Sequence, residues 1–225
     1  MDLKFWKPDL LKEDSFRMII NASTNSGKSY LIESLLEEYS TSWDIVILVC
    51  PSRDQVKKFE YKLPRHVIFK NFNSIAEGTT CIEHILDIQD GREEDELELF
   101  RVLCIFDDVA YDNKTKNSKL LMRLWANGRH LRVSSIFVSQ YHSMVSSQMK
   151  NNTQIFVIMR LGSFQQIEYV IKNYFIGTVQ LDPNIKTKEW NLIYDLYKQL
   201  VKTQGDSLVV DNRLFDNNLF YYKAP

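Results

Sequence analysis

The residues in this sequence whose types and spacing suggest chemistry begin with Gly27, Lys28 and Ser29. They end the segment ASTNSGKS, residues 22–29, which has the pattern of a P-loop. In a P-loop, backbone N–H groups surround phosphate oxygens, the lysine ammonium reaches the β- and γ-phosphates, and the serine hydroxyl binds Mg²⁺. The segment therefore predicts a site for ATP and Mg²⁺. The residues predicted to contact the nucleotide are Ser23, Thr24, Asn25, Ser26, Gly27, Lys28, Ser29 and Tyr30.

Ala22 departs from the usual P-loop signature, which has a glycine at this position. We expect the alanine to be tolerated if its φ is negative, and to lower nucleotide affinity otherwise. A Gly-Lys-Ser triplet can also arise by chance, but the flanking residues argue against chance. Arg17 to Ala22 has the pattern of a buried parallel strand. Apolar residues then recur at helical spacing after the loop, at Leu31, Ile32, Leu35 and Leu36.

Two acids and an amide follow predicted strands further along the chain. Asp107 and Asp108 come directly after Phe100 to Phe106, and Gln140 ends the segment VSSIFVSQ. An acid at the carboxyl end of a buried strand is the Walker B arrangement, so we predict that Asp107 binds the Mg²⁺ that bridges the nucleotide phosphates. Asp108 is the candidate general base for the attacking water, and Gln140 the candidate sensor of the γ-phosphate. The simpler interpretations are acids that open a loop and a glutamine that faces solvent.

Strand and helix patterns alternate along the chain, and this predicts an α/β fold. We expect the three-layer sandwich of a P-loop NTPase, with a mainly parallel sheet and with ligands at the carboxyl ends of its strands. The strands after the first are predicted at Asp44 to Cys50, Val67 to Phe72, Phe100 to Phe106, Val133 to Ser139 and Ile155 to Met159. Helices are predicted near Arg53 to Tyr61, Thr80 to Ile88, Ser118 to Ala126, Phe164 to Tyr174 and Lys186 to Val201. The acidic run Asp90 to Glu98 is interpreted as a solvated loop.

About 80 residues separate Lys28 from Asp107. This spacing favours a motor-type sheet, in which an additional strand lies between the P-loop strand and the Walker B strand. We interpret residues 1–225 as a single P-loop ATPase domain with a core at about 14–180. Residues 181–225 are predicted to form a C-terminal helix and tail, in which Leu208 to Tyr222 adds an edge hairpin or packs as a tail.

The composition is that of an ordinary globular protein, with 44% hydrophobic and 25% charged residues and a formal net charge of -1. Because the whole chain is not basic, any nucleic-acid contact must be a local patch. We find no signal peptide and no apolar run long enough to span a membrane. The three cysteines favour a reduced, intracellular protein, since Cys50 and Cys104 lie in apolar strand-like segments.

The motifs together resemble the FtsK/HerA superfamily of motor ATPases, most closely the small DNA-packaging ATPases of poxviruses, other large DNA viruses and virophages. The matching segments are ASTNSGKS at 22–29, LCIFDDV at 103–109, NGRH at 127–130, SSIFVSQ at 134–140 and KNNTQIFV at 150–157. The resemblance implies a homo-oligomeric ring, a pentamer or hexamer, that moves double-stranded DNA without sequence preference. It also implies capsid proteins as partners, and a location in the host cytoplasm, a virus factory or the virion.

The resemblance further implies roles for single residues. Lys28 and Ser29 would bind phosphate and Mg²⁺, Asp107 would bind Mg²⁺, Asp108 would activate water and Gln140 would act as the sensor. A ring motor also needs an arginine from the adjacent subunit to stabilise transition-state charge. We favour Arg129 for this arginine finger, with Arg132 and Arg160 as alternatives; Lys150 is a weaker choice because lysine lacks the planar fork. Arg129 could instead be a surface residue that pairs with an acid.

Two basic stretches could contact a DNA backbone. The first comprises Arg53, Lys57, Lys58, Lys62, Arg65 and Lys70, and the second Lys114, Lys116, Lys119 and Arg123. The simpler interpretation of both is a solvated helix face.

Two rival functions share the P-loop. A small nucleotide or nucleoside kinase would need an arginine-rich lid over its two substrates, and no such cluster is evident. A non-catalytic, nucleotide-gated scaffold would explain Ala22 as decay of the site. The joint presence of Lys28, Ser29, Asp107 and Asp108 argues against that decay.

Overall fold

The computed structural model describes residues 3–7, 15–70, 77–109, 118–140, 145–176, 189–214 and 218–224. Within these residues, nine strands form one sheet in the order β1-β9-β8-β7-β2-β6-β5-β3-β4. The strands are β1 (Lys4–Phe5), β2 (Arg17–Asn21), β3 (Ile45–Val49), β4 (Ile68–Phe69), β5 (Val102–Asp107), β6 (Val133–Ser139), β7 (Ile155–Ile158), β8 (Asp206–Asp211) and β9 (Leu219–Lys223).

The central strands of the sheet are parallel, and β6 lies between the P-loop strand β2 and the Walker B strand β5. This confirms the predicted mainly parallel sheet with an additional strand between those two. The register places Asp107 opposite Val138 and Asn21 opposite Ser139. Because all three strands run in the same direction, the P-loop, Asp107 and Gln140 emerge at the same edge of the sheet.

Helices cover both faces of the sheet. They are α1 (Lys28–Tyr39), α2 (Arg53–Phe59), α3 (Glu77–Glu94), α4 (Lys119–Asn127), α5 (Ser147–Asn151), α6 (Phe164–Val170) and α7 (Glu189–Leu200), and a π-helical turn, Ile171–Phe175, continues α6. Helices α1 and α2 pack on one face, where Leu35 and Phe59 are buried, and α3 to α7 pack on the other. The result is the predicted three-layer sandwich.

Trp125 on α4 anchors the larger of the two cores. Its side chain is fully buried and meets the Phe137 ring edge-on, with the ring centroids 6.0 Å apart. Its indole Nε1–H donates to Thr153 Oγ1 at 3.0 Å, so the one polar atom of the ring is satisfied. Truncation of an aromatic residue packed in this way costs about 3–5 kcal/mol of stability. The contact ties α4 to β6, the strand that leads to Gln140.

Several predicted boundaries shift by a few residues in the structure, and two expectations need a larger correction. Helix α3 continues through Glu94, so the expectation of a solvated loop from residue 90 was wrong over residues 90–94. The buried Gln89 explains this, because its amide nitrogen donates to Phe100 O and Leu131 O, both at 2.7 Å, and fastens the helix to the following segment. The C-terminal hairpin of β8 and β9 pairs antiparallel with β7, but β1 lies outside it, so the hairpin is not the edge of the sheet.

Candidate nucleotide-binding site

The P-loop connects β2 to α1 in a conformation that its glycine makes possible. Asn25 and Gly27 have φ values of 58° and 97°, in the left-handed region where glycine is the least strained residue. A Cβ atom on Gly27 would lie 2.5 Å from the backbone nitrogen of Gly205, so no larger residue fits. Ala22 does not take a positive φ, and its N–H donates to Ser139 O at 3.1 Å. The condition under which an alanine is tolerated at this position is therefore met.

Lys28 lies between the two acids at the carboxyl end of β5. Its ammonium bonds with the Asp108 carboxylate and lies 3.8 Å from Asp107 Oδ1. Asp107 has no exposed surface, and burial raises the pKa of its carboxyl to about 6, although the nearby Lys28 charge opposes that shift. Burial also raises the pKa of the Cys50 thiol to about 12, so that thiol stays protonated beside Asp107. The Lys28 ammonium therefore lies close to two groups, the Asp107 carboxyl and the Cys50 thiol, in which burial disfavours the negatively charged form.

The donor set around Asp107 suits a hard cation such as Mg²⁺, which prefers oxygen ligands. Asp107 Oδ1 is buried and has no hydrogen-bond partner, so this oxygen has unused capacity to bind a metal. Ser29, in the first turn of α1, supplies the hydroxyl predicted to share the ion. Across the part of the chain that the structure describes, no three acids, histidines or cysteines cluster to hold a metal on their own. A metal here would thus depend on oxygens from phosphate and water as well as from the protein.

Asp108 and Gln140 are brought together as neighbours of Lys28. Gln140 Nε2 donates to Asp108 Oδ2 at 2.7 Å, and Gln140 Oε1 accepts from Thr24 Oγ1 at 3.0 Å. Asp108 has a φ of 55°, a left-handed conformation that aspartate tolerates better than most residues, and its N–H donates to Val138 O at 3.2 Å. Backbone strain of this kind often marks a functional site. A continuous chain of contacts thus runs from Thr24 through Gln140 and Asp108 to Lys28.

A cavity of about 110 Å³ opens over the P-loop. Six of the eight predicted nucleotide-contacting residues line it: Thr24, Asn25, Gly27, Lys28, Ser29 and Tyr30. Ser23 and Ser26 do not line it; the Ser23 N–H donates to Arg160 O at 3.0 Å, and the Ser26 side chain is buried.

Three lining residues were not predicted as part of the site: Gln55, Lys58 and Gln204. Lys58 had been assigned to a basic stretch, and Gln55 lies three residues before it on the same face of α2, so helical spacing could have suggested the pair. No signal in the sequence pointed to Gln204.

The candidate arginines lie in different places. Arg129 lies in the segment that precedes β6, at the edge of the sheet opposite the P-loop. Its carbonyl accepts from Ser15 Oγ at 2.9 Å. Arg129 therefore does not reach the site of its own chain, and a role in an adjacent subunit stays a prediction. Arg132 Nη1 donates to Leu99 O at 3.2 Å, near the same edge. Arg160 Nη2 donates to Asn25 O at 2.9 Å and so contacts its own P-loop. Lys150 Nζ donates to Tyr169 OH at 3.0 Å.

The basic stretches are partly neutralised. Lys62 pairs with Glu37, Arg65 lies 3.7 Å from Glu60, and Arg123 pairs with Asp87 and Asp90. Lys114 and Lys116 lie outside the described residues. Four cations of the first stretch are exposed and form no salt bridge with any residue that the structure describes: Arg53, Lys57, Lys58 and Lys70. Among the helices described, none combines the length and the apolar character needed to cross a membrane.

Solved structures with a similar fold include the following three. The DNA-packaging ATPase B204 from Sulfolobus turreted icosahedral virus superposes with a TM-score of 0.62 at 11% identity, over 94% of this chain and 98% of B204. The pCW3 conjugation coupling protein TcpA, solved with ATPγS, gives 0.61 at 17% identity, over 94% of this chain and 60% of TcpA. B204 from Sulfolobus turreted icosahedral virus 2, also solved with ATPγS, gives 0.57 at 11% identity, over 93% and 97% of the two chains. At these identities the comparison shows a shared fold.

Comparison of the sequences gives two further matches, both to viral proteins. Uncharacterized protein 088R of Invertebrate iridescent virus 3 is 24% identical over 211 residues, which are 93% of this chain and 76% of that protein. The family model described as Poxvirus A32 protein matches residues 3–213, nearly the whole chain. These matches confirm the resemblance to viral DNA-packaging ATPases that the motifs indicated. The chain therefore belongs to the Poxvirus A32 protein family.

Proposed function

We propose that this protein is an ATP-hydrolysing motor that moves double-stranded DNA into a viral capsid. The observation that carries the proposal is the cluster of Lys28, Asp107, Asp108 and Gln140 at the mouth of the P-loop. It combines a phosphate-binding cation, a buried metal-binding oxygen, a general base and an amide that contacts that base. A scaffold that only senses nucleotide would not need the general base.

The contacts suggest how ATP would rearrange the site. In the structure, the Lys28 ammonium is bound to Asp108, the proposed base. A triphosphate in the P-loop offers Lys28 a stronger anionic partner, so Lys28 would move to the phosphates and release the Asp108 carboxylate. Asp108 could then accept a proton from the attacking water, while the Gln140 amide holds the water or the γ-phosphate. When bound, Mg²⁺ would supply charge neutralisation between the β- and γ-phosphates.

The coupling to DNA rests on family membership and on the shared fold with B204, a viral DNA-packaging ATPase. A ring of copies would place an arginine of one subunit against the nucleotide of the next, as the charge of a phosphoryl-transfer transition state requires. The exposed cations Arg53, Lys57, Lys58 and Lys70 offer non-specific contacts to a DNA backbone. Capsid proteins are the expected further partners.

One experiment tests the proposal directly. ATP hydrolysis is measured with and without double-stranded DNA, and the mass of the assembly in solution is determined in the same buffer. We expect a ring-sized assembly whose hydrolysis rises with DNA and is absent from the matched Lys28→Ala protein. Hydrolysis by Lys28→Ala at the wild-type rate would contradict the site assignment. A monomer that transfers phosphate to a nucleoside and ignores DNA would support the kinase instead.

A further inference from the structure

The position of the catalytic groups fixes the direction in which a nucleotide would lie. Asp107 ends β5, Asp108 follows it and Gln140 follows β6, and both strands lie on the same side of the P-loop strand β2. The γ-phosphate must point to that side, because these groups act on it. The nucleoside must therefore leave the P-loop elsewhere. The strands on the opposite side of β2 are β7 and β8.

A turn between α7 and β8 lies directly against the P-loop on that opposite side. The Gly205 N–H donates to Ser26 O at 2.9 Å, and the Gly205 carbonyl accepts from Ala224 N at 3.0 Å. A Cβ atom on Gly27 would lie 3.1 Å from Gln204 Cγ. We refer to residues 202–206 as the C-terminal turn. Its backbone and that of the P-loop are thus in van der Waals contact.

Asp206 holds the C-terminal turn in one conformation. Its Oδ2 accepts from the backbone N–H groups of Lys202 and Thr203 at 3.2 and 2.6 Å, and from Thr203 Oγ1 at 2.8 Å. Its Oδ1 accepts from Tyr221 OH at 2.7 Å. The side chain of Asp206 is only 4% exposed, so these bonds are shielded from water. A turn braced in this way presents its middle residue, Gln204, without further loss of conformational freedom.

Gln204 extends from the turn into the cavity over the P-loop. Its side chain is exposed, and it lines the same cavity as Lys28, Ser29 and Tyr30. An amide carries both donors and an acceptor; its donors could bind a phosphate, but its acceptor needs a donor partner such as a ribose hydroxyl or the edge of a base. Tyr30 is 48% exposed at the same cavity and offers a ring face to a base.

We propose that Gln204 binds the nucleoside part of ATP. This contact raises the affinity for ATP but not the affinity for a triphosphate that carries no nucleoside. This inference rests on the proposed function, since it assumes that ATP is the ligand. It assigns the two sides of the P-loop different tasks. The residues at the ends of β5 and β6 act on the γ-phosphate, and the C-terminal turn recognises the nucleoside.

The test compares two ligands on the Gln204→Ala protein. Binding of ATP and of inorganic tripolyphosphate is measured by displacement of a fluorescent ATP analogue, together with kcat and KM for ATP. We expect ATP affinity to fall about tenfold, the effect of one lost hydrogen bond, while tripolyphosphate affinity and kcat stay within about twofold of wild type. The matched control is Gln199→Ala, an exposed glutamine on α7 that does not line the cavity; it should leave both affinities unchanged.

Two outcomes would overturn the inference. Unchanged ATP affinity in Gln204→Ala would show that this side chain does not contact the nucleoside. An equal loss of ATP and tripolyphosphate affinity would show that the C-terminal turn only supports the P-loop. Failure of the proposed function has a different signature, because it appears in the wild-type protein itself, either as an absence of ATP binding or as hydrolysis that does not respond to DNA.

Discussion

Two regions flank the P-loop, and they differ in how far their polar groups are satisfied. On the proposed catalytic side, Asp107 is buried with an oxygen that accepts no hydrogen bond, and Asp108 has a left-handed backbone. In the C-terminal turn, both carboxylate oxygens of Asp206 accept hydrogen bonds. An unsatisfied buried group costs free energy, whereas a satisfied one stabilises. The polar groups on the proposed catalytic side can therefore exchange their contacts, whereas the C-terminal turn keeps one conformation.

The first prediction concerns a group that neither region supplies, the arginine finger. If Arg129 acts on the adjacent subunit, Arg129→Ala should lower hydrolysis by about 10³-fold or more. Mixing Arg129→Ala subunits with Lys28→Ala subunits should restore activity at about a quarter of the sites, where an intact Lys28 meets an intact Arg129. The hydrolysis rate of the mixed rings measures this.

Arg160 provides the matched comparison for that experiment, because it contacts the P-loop of its own chain. Arg160→Ala subunits mixed with Lys28→Ala subunits should show no recovery. Recovery with Arg160→Ala and none with Arg129→Ala would transfer the finger to Arg160.

The second prediction tests the division of labour within the catalytic side. Asp108→Asn should lower hydrolysis by about 10²- to 10⁴-fold, because the amide cannot accept the proton of the attacking water. Asparagine tolerates the left-handed backbone at this position, so the fold of the loop should be kept. Binding of ATP with Mg²⁺, measured by calorimetry, should stay close to wild type.

Asp107→Ala is the comparison for Asp108→Asn, since it removes the proposed metal ligand and should weaken Mg²⁺-dependent binding itself. If both variants lose binding to the same extent, Asp108 is a metal ligand and not the base.

The third prediction addresses the C-terminal turn through pH. Hydrogen bonds from Thr203, Lys202 and Tyr221 hold the pKa of the Asp206 carboxyl below its usual range and outweigh the opposing effect of burial. A carboxyl with a lowered folded-state pKa stabilises the protein above its unfolded pKa of about 4 and loses that contribution as the pH falls. Lys223 Nζ lies 3.6 Å from Asp206 Oδ1 and so forms an ion pair with it.

Asp206→Asn should therefore lower the free energy of unfolding by about 1–2 kcal/mol at pH 7, the effect expected of lost hydrogen bonds. The difference from wild type should shrink as the pH falls below about 4. Urea unfolding at several pH values measures it. A difference that is the same at pH 7 and pH 3 would show that the charge of Asp206 does not brace the turn.

The smallest expected effect is that of restoring the usual glycine of the signature. Because Ala22 has no positive φ and is fully buried, Ala22→Gly should not raise ATP affinity. It should instead lower the free energy of unfolding by about 0.5–1 kcal/mol, through the greater freedom of glycine in the unfolded chain. Thermal unfolding and ATP titration check the two parts. A clear gain in affinity would mean that Ala22 strains the loop.

The contrast between the two regions also explains what could be predicted from the sequence. Lys28, Asp107, Asp108 and Gln140 each follow a strand pattern within a few residues, and parallel pairing of those strands brings their ends to one edge. Local pattern and one topological rule were therefore enough to place them together, although their roles stay predictions. Gln204 has no such local context. Its place in the cavity depends on how β8 pairs with β7 and on the close approach of Gly205 to Gly27, which are contacts between distant segments.

The pairing of β1 with β9 has a consequence for the order of assembly during synthesis. Lys4 lies opposite Phe220, and the neighbouring Ala224 bonds to Gly205 of the C-terminal turn. At a translation rate of 5–20 residues per second, a ribosome needs roughly 10 to 40 s to proceed from the P-loop to this last contact. For most of that interval, the nascent chain contains the P-loop but not yet the C-terminal turn that packs against it. Such pairing between residues far apart in sequence is also slow to form, so the C-terminal turn packs against the P-loop late in folding.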